Sequence, residues 1–513
     1  MLKKKHKLTK EDYINRSFDP KNGIIDVLYI FPPTSISEDY SHRYGKEDLG
    51  DLGGNLIPLG IAALAAYLRE HNFGVGALDC VALGLSHDEI IEIIKSRKPK
   101  SVAISATTYA LPAATTLIER LRKEFPDLLM VLGGSHANVA GMDAAKNIPD
   151  TDIISYHPEG ETVALEIVKE FSKLNYNRKA FIENFEKLNK INGIIFRYEG
   201  KIIKTPPGKI IEDLDFLPFP ARDLFPLEKY IPLPNQYKRL PLTNMVVIRG
   251  CPYVCTFCDQ AATRARRRSP QKAIDEIKHC VENYGIKEIS FWDDTMSYHK
   301  KWMREFCNLL IEEKLDVIWS CYAAINTVNK EILELMAKAG CWNIFYGYET
   351  GVESLAKNIK TDRKNKSMDY MIQVTKWTKE AGIEIRGSFI IALPGETPEL
   401  AEQTIRDAIK LDPDYAQFSV TTPYPGTALY DEIKKGKWGK LITEDYSEYQ
   451  GWNVVFLPEG YKSPQQVIEM SKKAFRSFYL RPSYLYKAIL RIRSFEDIKR
   501  YFKGFYALVK GYI

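Results

Sequence analysis

The sequence has no stretch approaching the roughly twenty consecutive apolar residues that span a bilayer, and residues 1–10 are basic and polar without an apolar core. Neither membrane spanning nor secretion is expected. Cysteine is scarce, with eight in 513 residues, too few for a disulfide framework. An excess of one charge is nearly absent too, because a net charge of +6 over this length is mild. No nucleic-acid-binding motif accompanies it, so no nucleic-acid partner is expected. What remains is an ordinary globular composition, 45% hydrophobic and 27% charged, in a chain long enough for two or three domains with their own cores.

Three of the few cysteines stand together in Cys251-Pro252-Tyr253-Val254-Cys255-Thr256-Phe257-Cys258, directly after the apolar run Met245 to Ile248. One tight loop at a strand end can present three thiolates at this spacing. A four-iron cluster held by three protein ligands keeps one iron open for a substrate or cofactor, whereas electron-carrying clusters usually take four cysteines. Zinc is the alternative, and it needs a fourth ligand close by; His279 and Cys280 lie a whole predicted helix away. Such a thiolate-held cluster needs a reducing compartment, and the cytoplasm is expected.

The motif, with Phe257 just before its last cysteine, resembles the signature of the radical S-adenosylmethionine (SAM) enzymes. The resemblance implies Cys251, Cys255 and Cys258 as ligands of a [4Fe-4S] cluster whose open iron chelates the methionine part of SAM. One electron then cleaves the sulfonium to a 5'-deoxyadenosyl radical. It also implies Phe257 as a neighbour of the adenine.

Ahead of this loop, strand-like runs at 24–31, 76–79, 101–105, 128–133 and 152–155 alternate with helical patterns at 56–70, 86–96, 113–125, 142–146 and 161–174. That alternation is the pattern of a doubly wound α/β fold with a parallel sheet, whose ligands sit at the carboxyl ends of its strands. The residues at those ends are small: Ser105 to Thr108, then Gly133-Gly134-Ser135-His136, then Glu159-Gly160-Glu161-Thr162. Glycines that merely close tight turns are the plainer reading of any one pair.

Together, Ser105 and the paired Gly133-Gly134 are similar to the segments with which flavodoxin-like cobalamin-binding domains enclose the nucleotide tail. The resemblance implies cobalamin contacts at Ser105, Thr107, Gly133, Gly134, His136, Glu159 and Gly160. It departs at one point, since the D-x-H-x-x-G segment is absent and Asp39 to His42 has one residue too many. Cobalamin without a protein histidine ligand to cobalt is therefore expected, with His42 a solvated loop residue and the insertion 45–55 covering the lower cobalt face.

A hairpin is expected over 191–205, then a linker broken by prolines at 206, 207, 218, 220, 226, 232, 234 and 241. Leu217 to Asp223 matches an arm that similar enzymes carry between the two domains. From residue 244 strands at 244–249, 288–292, 317–322, 343–346, 384–392 and 415–420 alternate with five helices, which suggests a partial (β/α)6 TIM-type barrel with its reactive face at the strand ends. Asp293 and Asp294 end the second strand, where the family contacts the SAM amino group; a capping turn is the alternative. Glu349 ends the fourth strand, where a carboxylate can accept from ribose hydroxyls. Residues 387–397, including Ser388, match the family's fifth-strand segment, with Ala392 where glycine is usual. Cys80, Cys280, Cys307, Cys321 and Cys341 read as buried small hydrophobes.

After a helix at 464–479, two helices at 484–492 and 494–510 combine Tyr, Phe and Leu with Lys487, Arg491, Arg493, Lys499, Arg500, Lys503 and Lys510. Peripheral contact with an anionic membrane is one reading, and a packed cap on the barrel with a solvated basic face is the other. The expected organisation is an amino-terminal tail (1–22), a flavodoxin-like cobalamin domain (23–175), a hairpin and linker (176–242), a radical SAM barrel (243–430) and a helical extension (431–513).

Both halves together resemble the cobalamin-dependent radical SAM enzymes. That resemblance implies a [4Fe-4S] cluster, SAM and cobalamin as cofactors, and an electron donor such as ferredoxin or flavodoxin. The leading expectation is methylation of an unactivated carbon of a small-molecule or lipid substrate. Radical oxidation, cyclisation or rearrangement without methyl transfer is the second, and a non-catalytic sensor the third. Substrate specificity is expected in the arm 230–238, the loop after Thr421 and the carboxyl-terminal helices.

Overall fold

The computed structural model describes residues 8–33, 55–492, 498 and 502–504. The segment with Asp39, His42 and most of the insertion 45–55, and most of the expected helix 494–510, lie outside the described residues. The chain divides into two compact units, one containing residues 57–212 and 216–230 and the other 213–215 and 231 onward.

The first unit is built on eight strands: β1 (Phe18–Asp19), β2 (Val27–Phe31), β3 (Val75–Asp79), β4 (Ser101–Ser105), β5 (Leu129–Gly133), β6 (Ile153–Ser155), β7 (Ile194–Tyr198) and β8 (Lys201–Lys204). They lie in the order β1-β3-β2-β4-β5-β6-β7-β8. The five central strands are parallel, and their order, second-first-third-fourth-fifth, is that of the flavodoxin-like doubly wound sheet. Continuous apolar runs such as Val27 to Ile30 are buried on both faces, as helix-covered parallel strands require.

Two segments outside the expected domain core belong to this sheet. β1, within the expected tail, pairs antiparallel with β3. The hairpin expected in the connecting stretch supplies β7 and β8, with β7 antiparallel to β6. The reason is burial: Ile194, Ile195 and Phe196 are covered, while Lys201 and Lys204 on the outer strand stay exposed and protect the edge. The Leu217 to Asp223 segment also packs here, with the Ala221 N–H bonded to the Ala62 carbonyl at 2.9 Å and Asp223 paired with Arg69.

The second unit contains six parallel strands, β9 (Leu242–Met245), β12 (Glu288–Phe291), β13 (Ile318–Ala323), β14 (Cys341–Glu349), β15 (Glu384–Ile391) and β16 (Tyr415–Val420), hydrogen-bonded in sequence order. Two short strands, β10 (Ile248–Arg249) and β11 (Arg266–Arg267), pair with each other. The five connecting helices are Pro270–Tyr284, Lys300–Glu313, Lys330–Lys338, Met368–Glu380 and Pro398–Leu411. Four of them start on side-chain caps from Ser269, His299, Asn329 and Ser367, as polar residues before an amphipathic run dictate. Alternate strand residues such as Phe291, Trp319, Ile344, Tyr346, Phe389 and Phe418 pack outward against the helices in one core. The residues between them, Ser290, Ser320, Asn343, Arg386, Ser388 and Gln417, face the other way and line a lumen.

A last hairpin, β17 (Gly439–Leu441) with β18 (Phe456–Pro458), is followed by the helices Pro464–Tyr479 and Pro482–Leu490. The Tyr479 hydroxyl accepts from the Ala416 N–H (3.0 Å) and donates to its carbonyl (2.8 Å). One phenol thus satisfies both backbone groups of Ala416, on an edge strand where they would otherwise be open for pairing.

Candidate active site

The cysteine loop follows β9 and β10, and the β10–β11 pair closes its neck. Gly250 has φ +92°, and a Cβ there would stand 2.4 Å from the Arg264 carbonyl, so the neck admits only glycine. Thr263 clamps the loop: its hydroxyl accepts from the Cys251 N–H (2.8 Å), and its N–H donates to the Cys251 carbonyl (2.9 Å). Thr256 ties it further, donating its N–H to Ile359 O (3.1 Å) and accepting from Leu429 N–H (2.8 Å). Cys251 and Cys255 are buried, Cys258 is half-buried, and none is in a disulfide.

Among the described residues no three His, Cys, Asp or Glu side chains converge on a point that would hold a single metal ion. A four-iron cube instead takes each thiolate at a different corner, so three separated, unbridged thiols on a stiff loop fit it. Burial pushes the Cys258 thiol up to about 12 and also raises Cys255, partly opposed by the Lys364 ammonium. Without a metal these thiols are neutral.

Lys364, which no sequence motif marks, is the cation of the site. Its Nζ donates to Glu349 Oε1 at 2.9 Å, with both side chains largely buried. Burial opposes its charge, but the Glu349 carboxylate outweighs that and holds its pKa above the usual lysine value. Glu349 sits at φ +60° beside an irregularity in the β14–β15 register. Gly347 makes the pair sterically feasible, since its Cβ would lie 2.3 Å from Glu349 Oε1 and 2.9 Å from Lys364 Nζ. A non-glycine residue in the left-handed region with a buried ion pair is strain of the kind found at functional sites.

The two aspartates after β12 have different surroundings. Asp293 is buried, and its Oδ1 accepts from the Val247 N–H (2.7 Å) and from the Ile248 N–H, bracing the break between β9 and β10 just before the cysteine loop. Burial lifts its pKa to about 7. Asp294 keeps an edge open to solvent, but the surrounding loop removes part of its carboxyl's hydration, and this, then the charge of Asp259, raises its pKa to about 6, against the Gly250 N–H. Phe257 packs on Leu355, Ile390 and Leu393, and Ser388 is level with Gly347 and Gln417 across the sheet.

The position where glycine is usual, Ala392, has φ +63°, so the reason for glycine is backbone conformation. Its N–H donates to the buried Glu396 Oε1 (2.5 Å), which also accepts from the Tyr461 hydroxyl (2.6 Å).

Deeper in the lumen, Arg386 donates from Nε to Asn343 Oδ1 (2.7 Å) and lies 5.2 Å from the Phe345 ring centre and 5.7 Å from that of Tyr322. Trp292, 41% exposed, continues this aromatic wall at 5.6 Å from Tyr322. Asn343 Nδ2 is buried without a hydrogen-bond partner among the described residues, a donor left over inside the lumen.

In the first unit, Ser105 and Gly133 are paired neighbours at the carboxyl ends of β4 and β5. Gly134 has φ +96°, and a Cβ there would meet Ala106 O at 2.5 Å and Ser105 Oγ at 2.9 Å, whereas one at Gly133 would meet nothing within 4 Å. Half-buried Ser105, exposed Thr107 and the open side of Gly133 thus make a cradle that fits a bulky ligand such as a cobalamin tail. His136 and Glu159 lie behind it, fully buried. His136 Nδ1 is 3.1 Å from Thr108 Oγ1, and burial lowers its pKa to about 4, so it is neutral. Gly160 begins the helix Gly160–Ser172, its absent Cβ facing Leu64.

Comparison with known proteins agrees with both halves. Residues 245–408 match the radical SAM superfamily and residues 46–166 the B12 binding domain. An uncharacterized methyltransferase from Pyrococcus horikoshii is 32% identical over 94% of this chain and 98% of its own length. The anaerobic magnesium-protoporphyrin IX monomethyl ester cyclase of Rubrivivax gelatinosus is 29% identical, covering 90% and 78%. The structure of the radical SAM methyltransferase TsrM from Kitasatospora setae with cobalamin and a [4Fe-4S] cluster superimposes with a TM-score of 0.67 at 14% identity, covering 95% of this chain and 99% of that one. That likeness concerns the fold, a B12-binding sheet followed by a partial barrel. With the cysteine loop on the first barrel strand, the cradle at Gly133 and a relative alike over nearly its whole length, the chain belongs to the cobalamin-dependent radical SAM enzymes.

Proposed function

We propose that the protein methylates a carbon of a small-molecule or lipid substrate held in the barrel lumen. The observation that carries this reading is the cysteine loop beside a lumen with an aromatic wall, in a chain alike over nearly its full length to a methyltransferase. When bound, the cluster, SAM and cobalamin supply reductive SAM cleavage, hydrogen abstraction and the transferred methyl group.

The chain's own residues hold and orient these groups. Cys251, Cys255 and Cys258 bind the cluster as thiolates, and Lys364 offsets part of their charge. Asp294, open to solvent, accepts from the SAM ammonium, while Asp293 stiffens the strand that carries the loop. Phe257, with Ile390 and Leu393, flanks the adenine, and Glu349 and Ser388 face the ribose. Ser105, Thr107, Gly133 and Gly134 enclose the cobalamin tail, with His136, Glu159 and Gly160 fixing the strand ends behind them. Trp292, Tyr322 and Phe345 give the substrate an apolar wall and exclude water, and Asn343 Nδ2 gives it one buried donor. A ferredoxin or flavodoxin supplies the electron.

The second reading, cyclisation or oxidation without methyl transfer, is favoured by the likeness to the ring cyclase. SAM carrying a deuterated methyl group separates the two. Reduced holoenzyme with a cell extract as substrate source is expected to give 5'-deoxyadenosine and a product heavier by the labelled methyl. 5'-Deoxyadenosine with label absent from every product sinks the methylation reading and leaves the cyclase type.

A further inference from the structure

The carboxyl-terminal helix Pro482–Leu490 has two unlike faces. The inner one is fastened to the barrel. The Tyr484 hydroxyl donates to Asp414 O at 3.0 Å, Lys487 Nζ pairs with Asp412 at 2.5 Å, and Arg481 and Arg491 pair with Asp412 and Asp414. Tyr484, Lys487, Ala488 and Arg491 fall at the three- and four-residue spacing of one helix face. The opposite face carries Leu485, Tyr486, Ile489 and Leu490, exposed by 40%, 66%, 66% and 61%. The anchoring ion pairs therefore fix the helix with its apolar face outward.

Of nineteen exposed large apolar side chains among the described residues, eight fall between Leu480 and Phe502, so this is a patch rather than the scatter normal on a protein surface. Charge is concentrated in the same stretch of sequence. Residues 481–513 hold eight Lys and Arg against two Asp and Glu, a net of +6. The remaining 480 residues, with 64 of each sign, are neutral, so the chain's whole net charge lies here. Three of the eight cations face Asp412 and Asp414, and the other five stand at 493–510. No helix among the described residues is long and apolar enough to cross a membrane.

We infer that this face is a docking surface for an anionic lipid bilayer, with Leu485, Tyr486, Ile489 and Leu490 entering the headgroup boundary and the net positive charge of the same stretch of sequence drawing it to anionic headgroups. An apolar helix face flanked by cations and aromatics is what an interfacial helix needs, and the attraction is screened by salt. The surface serves the enzyme whether its reaction is methylation or cyclisation.

The test is co-sedimentation of the full-length holoenzyme with vesicles of phosphatidylcholine alone or with phosphatidylglycerol added. Binding is expected only to the anionic vesicles, and raising salt from about 0.1 to 0.5 M should weaken it, as the Debye length shortens. Ile489→Asp with Leu490→Asp is expected to weaken partitioning on the order of tenfold or more, while 5'-deoxyadenosine formation without lipid stays unchanged. Arg493→Glu with Arg500→Glu, which leaves the apolar face intact, should do the same. Equal binding to neutral vesicles, or no binding to either, overturns the inference. So does a dimer by light scattering that Ile489→Asp dissociates in protein that binds no vesicle, which would assign the face to a second copy of the chain.

Discussion

Replacing Lys364 by methionine keeps the side chain's length and removes its charge, which leaves the Glu349 carboxylate without its 2.9 Å partner. The two side chains retain only 12% and 8% of their exposure, so water does not replace the lost ammonium. Breaking a buried pair from one side costs about 3–5 kcal/mol, because the cost is the stranded charge rather than the lost contact. In the cluster-free protein that should lower the melting temperature of the barrel by roughly 6–12 °C. Glu349→Gln together with Lys364→Met removes both charges and should recover much of the loss. The single variant should also regain stability on acidification, because a carboxyl stranded without its cation takes up a proton more readily. Thermal unfolding of wild type, both single variants and the double variant, at two pH values, decides it. A loss below about 1 kcal/mol in Lys364→Met, or a double variant no better than the sum of the singles, would refute the argument.

Ala392→Gly should stabilise the barrel by about 1 kcal/mol, since an alanine at φ +63° bears the left-handed steric cost that glycine lacks; a higher denaturant midpoint with unchanged slope would show it. Tyr479→Phe removes the hydroxyl that both donates to and accepts from Ala416, so about 1–3 kcal/mol should be lost, with faster amide exchange along β16. His136 is neutral when buried, its pKa lowered to about 4, whereas the unfolded chain has an ordinary histidine near 6.5. Between those values the unfolded state binds more protons, so stability rises with pH and is lost as pH falls from about 6.5 towards 4, by about 3 kcal/mol in all. His136→Asn should flatten that part of the unfolding curve of the cluster-free chain.

Much of the site was legible in the chain. The cysteine spacing, the paired glycines and the period-two strands separated by amphipathic helices are local patterns that can be read before any long-range contact is known, and the resemblance to a family narrowed their alternatives, zinc for the cysteines and plain tight turns for the glycines. The Ser105 and Gly133-Gly134 segments came out adjacent because they end neighbouring parallel strands. Other features depend on which strand lies beside which. Lys364 sits in a polar run with no motif, and becomes the site's cation only because a short helix brings it against Glu349 and the cysteine loop. Asp293 and Asp294 are chemically identical in sequence, and only the break between β9 and β10 gives one to the backbone and the other to solvent. Arg386 and Asn343, 43 residues apart, meet because register places β14 beside β15.

The sequence by itself determined the two α/β units, the cofactor loop and the concentration of charge at the carboxyl end, since spacing, periodicity and composition are properties of the chain. Tertiary structure alone decided that the hairpin joins the first sheet, that Tyr479 closes the edge of β16, and that Asp412 and Asp414 turn an apolar helix face outward. Those outcomes are set by long-range contacts between residues that carry no mark of each other in the sequence.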